Sequence, residues 1–158
     1  MNAVYAGSFD CYTNGHHDIV KKAAVLFDRL YIVIAVNSEK RRRYPAEQMQ
    51  AAIASTLQDD GLTNCTVCIH DGVAADFCIE NDIGYTIRGL RNRMDYDYEE
   101  NIAAVNKLIA PKLETVYFRA DNNGISSSLI AELSKYRKDF SGLVPPAVNE
   151  LLLQCETD

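Results

Sequence analysis

The feature that most constrains the fold is a regular alternation along the chain. Short β-branched runs take turns with segments of helical spacing. Residues 3–6 (AVYA) read as a short buried strand. Residues 30–37 (LYIVIAVN) are apolar on both faces, as a parallel strand covered on both sides must be. Residues 65–70 (CTVCIH), 84–89 (GYTIRG) and 114–120 (ETVYFRA) supply three more strands. Between them, apolar residues recur three and four apart. Ile19, Ala23 and Phe27, with Val20 and Ala24, mark a helix over 15–28. Further helices are predicted over 46–57, 73–81, 95–109 and 126–136, where Ser126 can cap the start. A final helix is predicted over 142–154, with proline in its first turn. Strands separated by helices cannot pair antiparallel through tight turns. They require right-handed crossovers and a parallel sheet. The expectation is an α/β fold: one domain over residues 1–158 with a doubly wound, five-stranded parallel sheet.

In such a sheet, ligands bind beyond the carboxyl ends of the strands. The loops that matter are therefore 7–15, 37–45, 71–74, 88–94 and 120–127. The first reads GSFDCYTNGH, the second contains KRRR, the fourth RGLRNR, and the fifth DNNGISSS at the start of a helix. The chain as a whole carries a net charge of −6, so these cations stand out locally. An acidic protein has no general field for nucleic acid, but a cationic pocket framed by helix N-termini suits a small polyanion such as a nucleoside triphosphate. No apolar run approaches a membrane span, and the N-terminus lacks signal-peptide architecture. The expected location is the cytosol. Five cysteines in a reducing compartment are expected as free thiols. Cys65 and Cys68 have zinc-like spacing but no second pair to complete a site, and they alternate as strand residues do.

The phosphate-binding pattern is neither a P-loop nor a dinucleotide fingerprint. There is no G-x-x-x-x-G-K-[ST], and Gly7 and Gly15 are too far apart for G-x-G-x-x-G. The stretch GSFDCYTNGH instead resembles the G-[TS]-F-D-x-x-[TH]-x-G-H signature of the nucleotidyltransferase superfamily. IRGLR (87–91), DYDYE (95–99), ISSSL (125–129) and SGLVPP (141–146) make the chain similar to one branch, the bacterial phosphopantetheine adenylyltransferases. The likeness runs through nearly the whole chain in order. It implies a Rossmann-like nucleotidyltransferase fold and transfer of AMP from ATP to 4′-phosphopantetheine. The products would be dephospho-coenzyme A and pyrophosphate, with Mg2+ held mainly by the ATP phosphates. It also implies a hexameric homo-oligomer, with coenzyme A as a possible feedback ligand and neither nucleic acid nor membrane as partner. The alternatives are a cytidylyltransferase-type relative with another phosphorylated acceptor, or a non-catalytic nucleotide-binding relative.

The same resemblance assigns residues. His16 matches the signature histidine that stabilises the α-phosphate, and Lys40 and Arg91 join it as catalytic candidates. Ser8 and Phe9 match positions that meet ATP, Ser8 also meeting the acceptor. Gly89, Leu90, Arg91 and Glu99 match nucleotide contacts. Asn122, Asn123, Gly124, Ile125, Ser126, Ser127 and Ser128 match the segment around adenine and pyrophosphate. Lys40, Val73, Ala74 and Arg88 match acceptor contacts, the last at its phosphate. No protein metal ligands are expected. Asp10 could orient its turn or help place a metal. Arg91 could instead pair with Asp95, and Arg41, Arg42 and Arg43 could share the role of Lys40. His17 stands where the family usually has an apolar residue. It points about 100° from His16 on a helix and is expected to be structural or peripheral. The chain departs from the family at Ala6 and Cys11, where prolines are usual, in the YPAEQMQ helix start, and in a segment around 120–125 about two residues shorter.

Overall fold

The computed structural model describes residues 1–121 and 124–157. Five strands form one parallel sheet: β1 (Asn2–Gly7), β2 (Arg29–Val36), β3 (Cys65–Asp71), β4 (Tyr85–Leu90) and β5 (Glu114–Arg119). Six helices connect and flank them: α1 (Asn14–Leu26), α2 (Ala46–Asp59), α3 (Ala74–Glu80), α4 (Arg93–Ile109), α5 (Ser127–Lys135) and α6 (Pro146–Thr157). The strand order is β3-β2-β1-β4-β5. β1 lies at the centre, with Val4 opposite Tyr31 of β2 and Thr86 of β4. The chain winds outward to β3 on one side, then returns past β1 to β4 and β5. The order therefore reverses between β1 and β4, which opens a crevice at their carboxyl ends.

The strand residues alternate between two cores, as a sheet covered on both faces requires. Ala3, Tyr5, Ile32 and Ile34 pack with Ile19 and Val20 of α1, Met49 and Ile53 of α2, Ile130 of α5 and Leu152 of α6. Val4, Ala6 and Val33 point the other way, onto Phe77 and Cys78 of α3 and onto Ile83, Ala110 and Leu113. The two middle cysteines obey the same rule. Cys65, like Val67 and Ile69, faces the first core, and Cys68 faces the second. All five cysteines are free.

Two helix starts differ by two residues or more from the periodicity. α4 starts at Arg93, ahead of the first periodic residue, because the Asn92 side chain accepts the Asp95 backbone N–H at 3.0 Å and caps it there. α6 starts only at Pro146. The residues before it form a turn in which the Gly142 and Leu143 carbonyls accept the Asn14 side-chain and backbone N–H groups at 3.1 and 2.9 Å. No helix among the described residues is long and apolar enough to cross a membrane.

Candidate active site

The site begins with the way α1 starts. Thr13 is its N-cap, and its hydroxyl accepts the His16 backbone N–H. The third helical position usually closes such a box with Glu or Gln; here it is His16. Its Nδ1 accepts the Thr13 backbone N–H at 3.0 Å. A backbone amide can only donate, so Nδ1 is unprotonated and the neutral ring carries its proton on Nε2. The cap thus fixes the tautomer as well as the helix end. The ring sits among aromatics. Phe9 meets it edge-on at 5.1 Å, and Tyr12 stacks on it at 5.7 Å and 26°. Burial, helped by the positive charge of Arg91, pushes the imidazole from an ordinary 6.5 down to about 4. His16 is therefore a neutral hydrogen-bond donor at physiological pH.

The loop after β1 is stitched to the loop after β2. Both carboxylate oxygens of Asp10 accept backbone N–H groups, from Arg43 at 2.8 Å and Tyr44 at 2.9 Å. In return Arg42 donates to the carbonyls of Ser8 (2.6 Å), Phe9 (3.4 Å) and Tyr44 (3.1 Å). This clamp holds Phe9 at φ 43°, in the left-handed region that a bulky residue rarely occupies. Gly7 lies beneath it, where a Cβ would crowd the Phe9 ring at 3.2 Å. The Cys11 side chain is buried in the first core and its thiol is pushed up to about 12 by desolvation. Its carbonyl accepts the Ser127 hydroxyl at 2.6 Å, which ties the start of α5 to the same loop.

The third wall is β4. Arg88 forms a bidentate pair with Glu99 of α4, the Nη2–Oε1 contact being 3.0 Å, and also donates to the Ala6 carbonyl at 3.0 Å. Arg91 pairs with Asp95 at 3.0 Å, which holds that carboxyl below the usual carboxylate range. Both arginines are thus prepositioned at the switch point, with their carboxylate partners on α4.

These walls enclose a cavity of about 280 Å3 across the carboxyl ends of β1 and β4, bordered by the N-termini of α1 and α5. A second cavity of about 610 Å3, lined by Lys40, Arg41 and Arg43, adjoins it; Ser8 and Ser127 line both. Two neighbouring cavities that share a wall, each with cations, can hold two anionic ligands side by side. The cytidylyltransferase-like family model matches residues 4–133. Over 152 residues, 95% of this chain and 94% of the relative, the chain is 36% identical to the phosphopantetheine adenylyltransferase of Shouchella clausii. Over 148 residues it is 42% identical to that of Streptococcus pyogenes serotype M5, covering 92% of this chain and 90% of the relative. The chain belongs to the phosphopantetheine adenylyltransferase family. A solved structure from Vibrio parahaemolyticus, provisionally assigned as a nicotinate-nucleotide adenylyltransferase, shares the fold. Its TM-score is 0.70 at 15% identity, over 97% of this chain and 91% of that one.

The first cavity gathers Ser8, Phe9 and His16 from the β1 side, Arg88, Gly89, Arg91 and Glu99 from the β4 side, and Ile125, Ser126 and Ser127. Ser126 caps α5 through the Leu129 N–H at 3.1 Å, so its hydroxyl already has one partner. Lys40 and Ser128 line the second cavity. Leu90 contributes its carbonyl to the Ala120 N–H at 3.0 Å and borders neither cavity. Gly124 borders neither. Val73 and Ala74 lie at the start of α3, Val73 exposed and Ala74 packed on the second core, away from both cavities. Asn122 and Asn123 lie outside the described residues. Asp10 and Arg42 join the first two loops and also line the second cavity. Tyr5, Thr13, Ile19, Asp95 and Ala120 line the first cavity without having been singled out for it. Strand alternation in AVYAGS could have placed Tyr5 beside Gly7 on one face. Thr three before His is the capping pattern with an unusual third residue.

Proposed function

We propose that this chain transfers the adenylyl group of ATP to the phosphate of 4′-phosphopantetheine, and that the two cavities receive the two substrates. Full-length likeness to enzymes of that name supports the choice of reaction. The observation that carries the mechanism is one side chain: His16, locked as an Nε2–H donor, lining the same cavity as Arg88 and Arg91.

The reaction joins two anions. An oxygen of the acceptor phosphate attacks the α-phosphorus, a new P–O bond forms, and the bond to the β-phosphate oxygen breaks. Pyrophosphate leaves with that electron pair. The acceptor is already a nucleophile, so no covalent enzyme intermediate is needed. The protein must align the reactants and disperse developing negative charge. A neutral His16 donates from Nε2 to the α-phosphate without giving up its proton. Its low proton affinity suits that task, because it cannot drift into acting as a base through Nδ1, which the Thr13 amide occupies. Arg91 adds charge on the nucleotide side. Arg88 meets the acceptor phosphate, its guanidinium held flat by Glu99. Lys40, reaching from the second cavity, bridges the two phosphates. Mg2+ enters as part of the metal–ATP substrate. The carboxylates near the reacting groups fit that role, since Asp10, Asp95 and Glu99 already serve backbone amides or arginines and offer it no open ligand set. Coenzyme A carries the acceptor's pantetheine arm and would compete for the second cavity.

Pyrophosphate release tests this, measured with ATP or CTP, with and without 4′-phosphopantetheine. Release requiring ATP and the acceptor together is expected. Release only with CTP and a different acceptor would overturn the reading.

A further inference from the structure

The histidine that follows the motif is neither in the first cavity nor on a solvated helix face. His17 is 6% exposed. Its Nε2 lies 2.7 Å from Oδ2 of Asp60, the C-cap residue just beyond α2, and its Nδ1 lies 3.0 Å from the Tyr12 hydroxyl. A carboxylate accepts, so Nε2–H donates to Asp60. In the neutral ring Nδ1 is then the acceptor, and the Tyr12 O–H donates to it. Tyr12 is fully buried, and its ring is the one stacked on His16. A continuous line of contacts therefore runs from Asp60 through His17 and Tyr12 to His16. Its outer end opens on a surface cavity of about 400 Å3 that includes His17, Asp60 and Lys21.

The hydrogen bond at Nδ1 holds one edge of the His16 ring, and the aromatics packed on it hold the rest, Tyr5 being tilted to it at 6.4 Å. Tyr12 is the flat contact, and Phe9 meets the ring by an edge. We propose that His17 is a positioning residue for adenylyl transfer. Braced by Asp60, it pins the Tyr12 hydroxyl, and the pinned ring sets the plane in which His16 presents Nε2–H. An apolar side chain, usual here in the family, could fill the space but would leave the Tyr12 hydroxyl buried and unpaired. This inference rests on the transfer reaction proposed above.

The test uses the full chain with His17→Leu, Tyr12→Phe, the two combined, and Asp60→Ala. Turnover, KM for each substrate, the thermal midpoint and the ligand-free His16 imidazole resonances are measured. His17→Leu is expected to lower kcat about tenfold, keep KM for ATP within about twofold and shift the His16 resonances. The double variant removes the orphaned hydroxyl, so its thermal midpoint recovers while kcat stays low. Asp60→Ala, at a half-exposed site that keeps the fold, moves kcat and the His16 resonances the same way by less. Recovery of kcat together with the midpoint in the double variant would reduce the network to packing and overturn the proposal. So would unchanged His16 resonances in His17→Leu and Asp60→Ala. Absence of transfer by the unaltered protein would refute the reaction, whereas the resonances test the positioning by themselves.

Discussion

The proton affinity of His16 gives the sharpest quantitative check. Its imidazole is held near 4 by burial and by Arg91, against an ordinary 6.5 in an unfolded chain. Above pH 6.5 both states are neutral at this position, and it contributes no pH dependence. As pH falls, the unfolded state gains a proton that the native state refuses. Stability present above 6.5 is therefore lost progressively until pH passes about 4, for a total of about 3 kcal/mol. Between pH 7 and pH 5 the loss from this residue is about 2 kcal/mol. His16→Gln is the matched control, because glutamine at the third helical position preserves the capping box without titrating. Urea unfolding of both proteins from pH 8 to pH 4.5 should show a stability difference that grows by about 2.5 kcal/mol toward acid. An NMR titration of the ligand-free protein should place His16 well below 6. Bound triphosphate must raise that value, since its negative charge favours the protonated ring. Parallel pH–stability curves for the two proteins, or a His16 titration at 6.5 or above without nucleotide, would refute the reasoning. Turnover of His16→Gln should fall by roughly two orders of magnitude, as loss of an oxyanion donor does.

Arg42→Ala removes three donors from the clamp between the first two loops. It should cost about 2 kcal/mol in urea unfolding and raise KM for both substrates. Gly7→Ala sets a methyl 3.2 Å from the Phe9 ring and so crowds the edge contact on His16; initial rates should show kcat falling with little change in the thermal midpoint. Arg88→Lys keeps the charge but not the fork that grips Glu99. Steady-state kinetics should show KM for 4′-phosphopantetheine rising about tenfold with KM for ATP nearly constant.

The sequence by itself determined the sheet. Two-sided apolar strands such as residues 30–37, separated by helix-periodic segments, admit few arrangements other than a parallel α/β sheet, because that pattern must bury both faces. It also determined that the loops after the strands share one edge, since parallel strands with crossovers bring all their carboxyl ends there, but not that the 71–74 loop would line neither cavity. Local chemistry was legible where it depends on neighbours in the chain, as with the Ser126 cap and the pairing of Arg91 with Asp95 four residues on. Partnerships between distant segments were not. That Asp10 serves the Arg43 and Tyr44 amides, that Arg42 of the three arginines is the clamp, and that Glu99 reserves Arg88 all depend on how loops from different strands approach. Nothing in the spacing encodes those distances. The two histidines show the division most clearly. The motif singled out His16, and helix geometry alone turned His17 away from it. Only the packing of α1 against the end of α2 decided that His17 would be buried, because the carboxylate of Asp60 and the hydroxyl of Tyr12 satisfy both its nitrogens where solvent cannot.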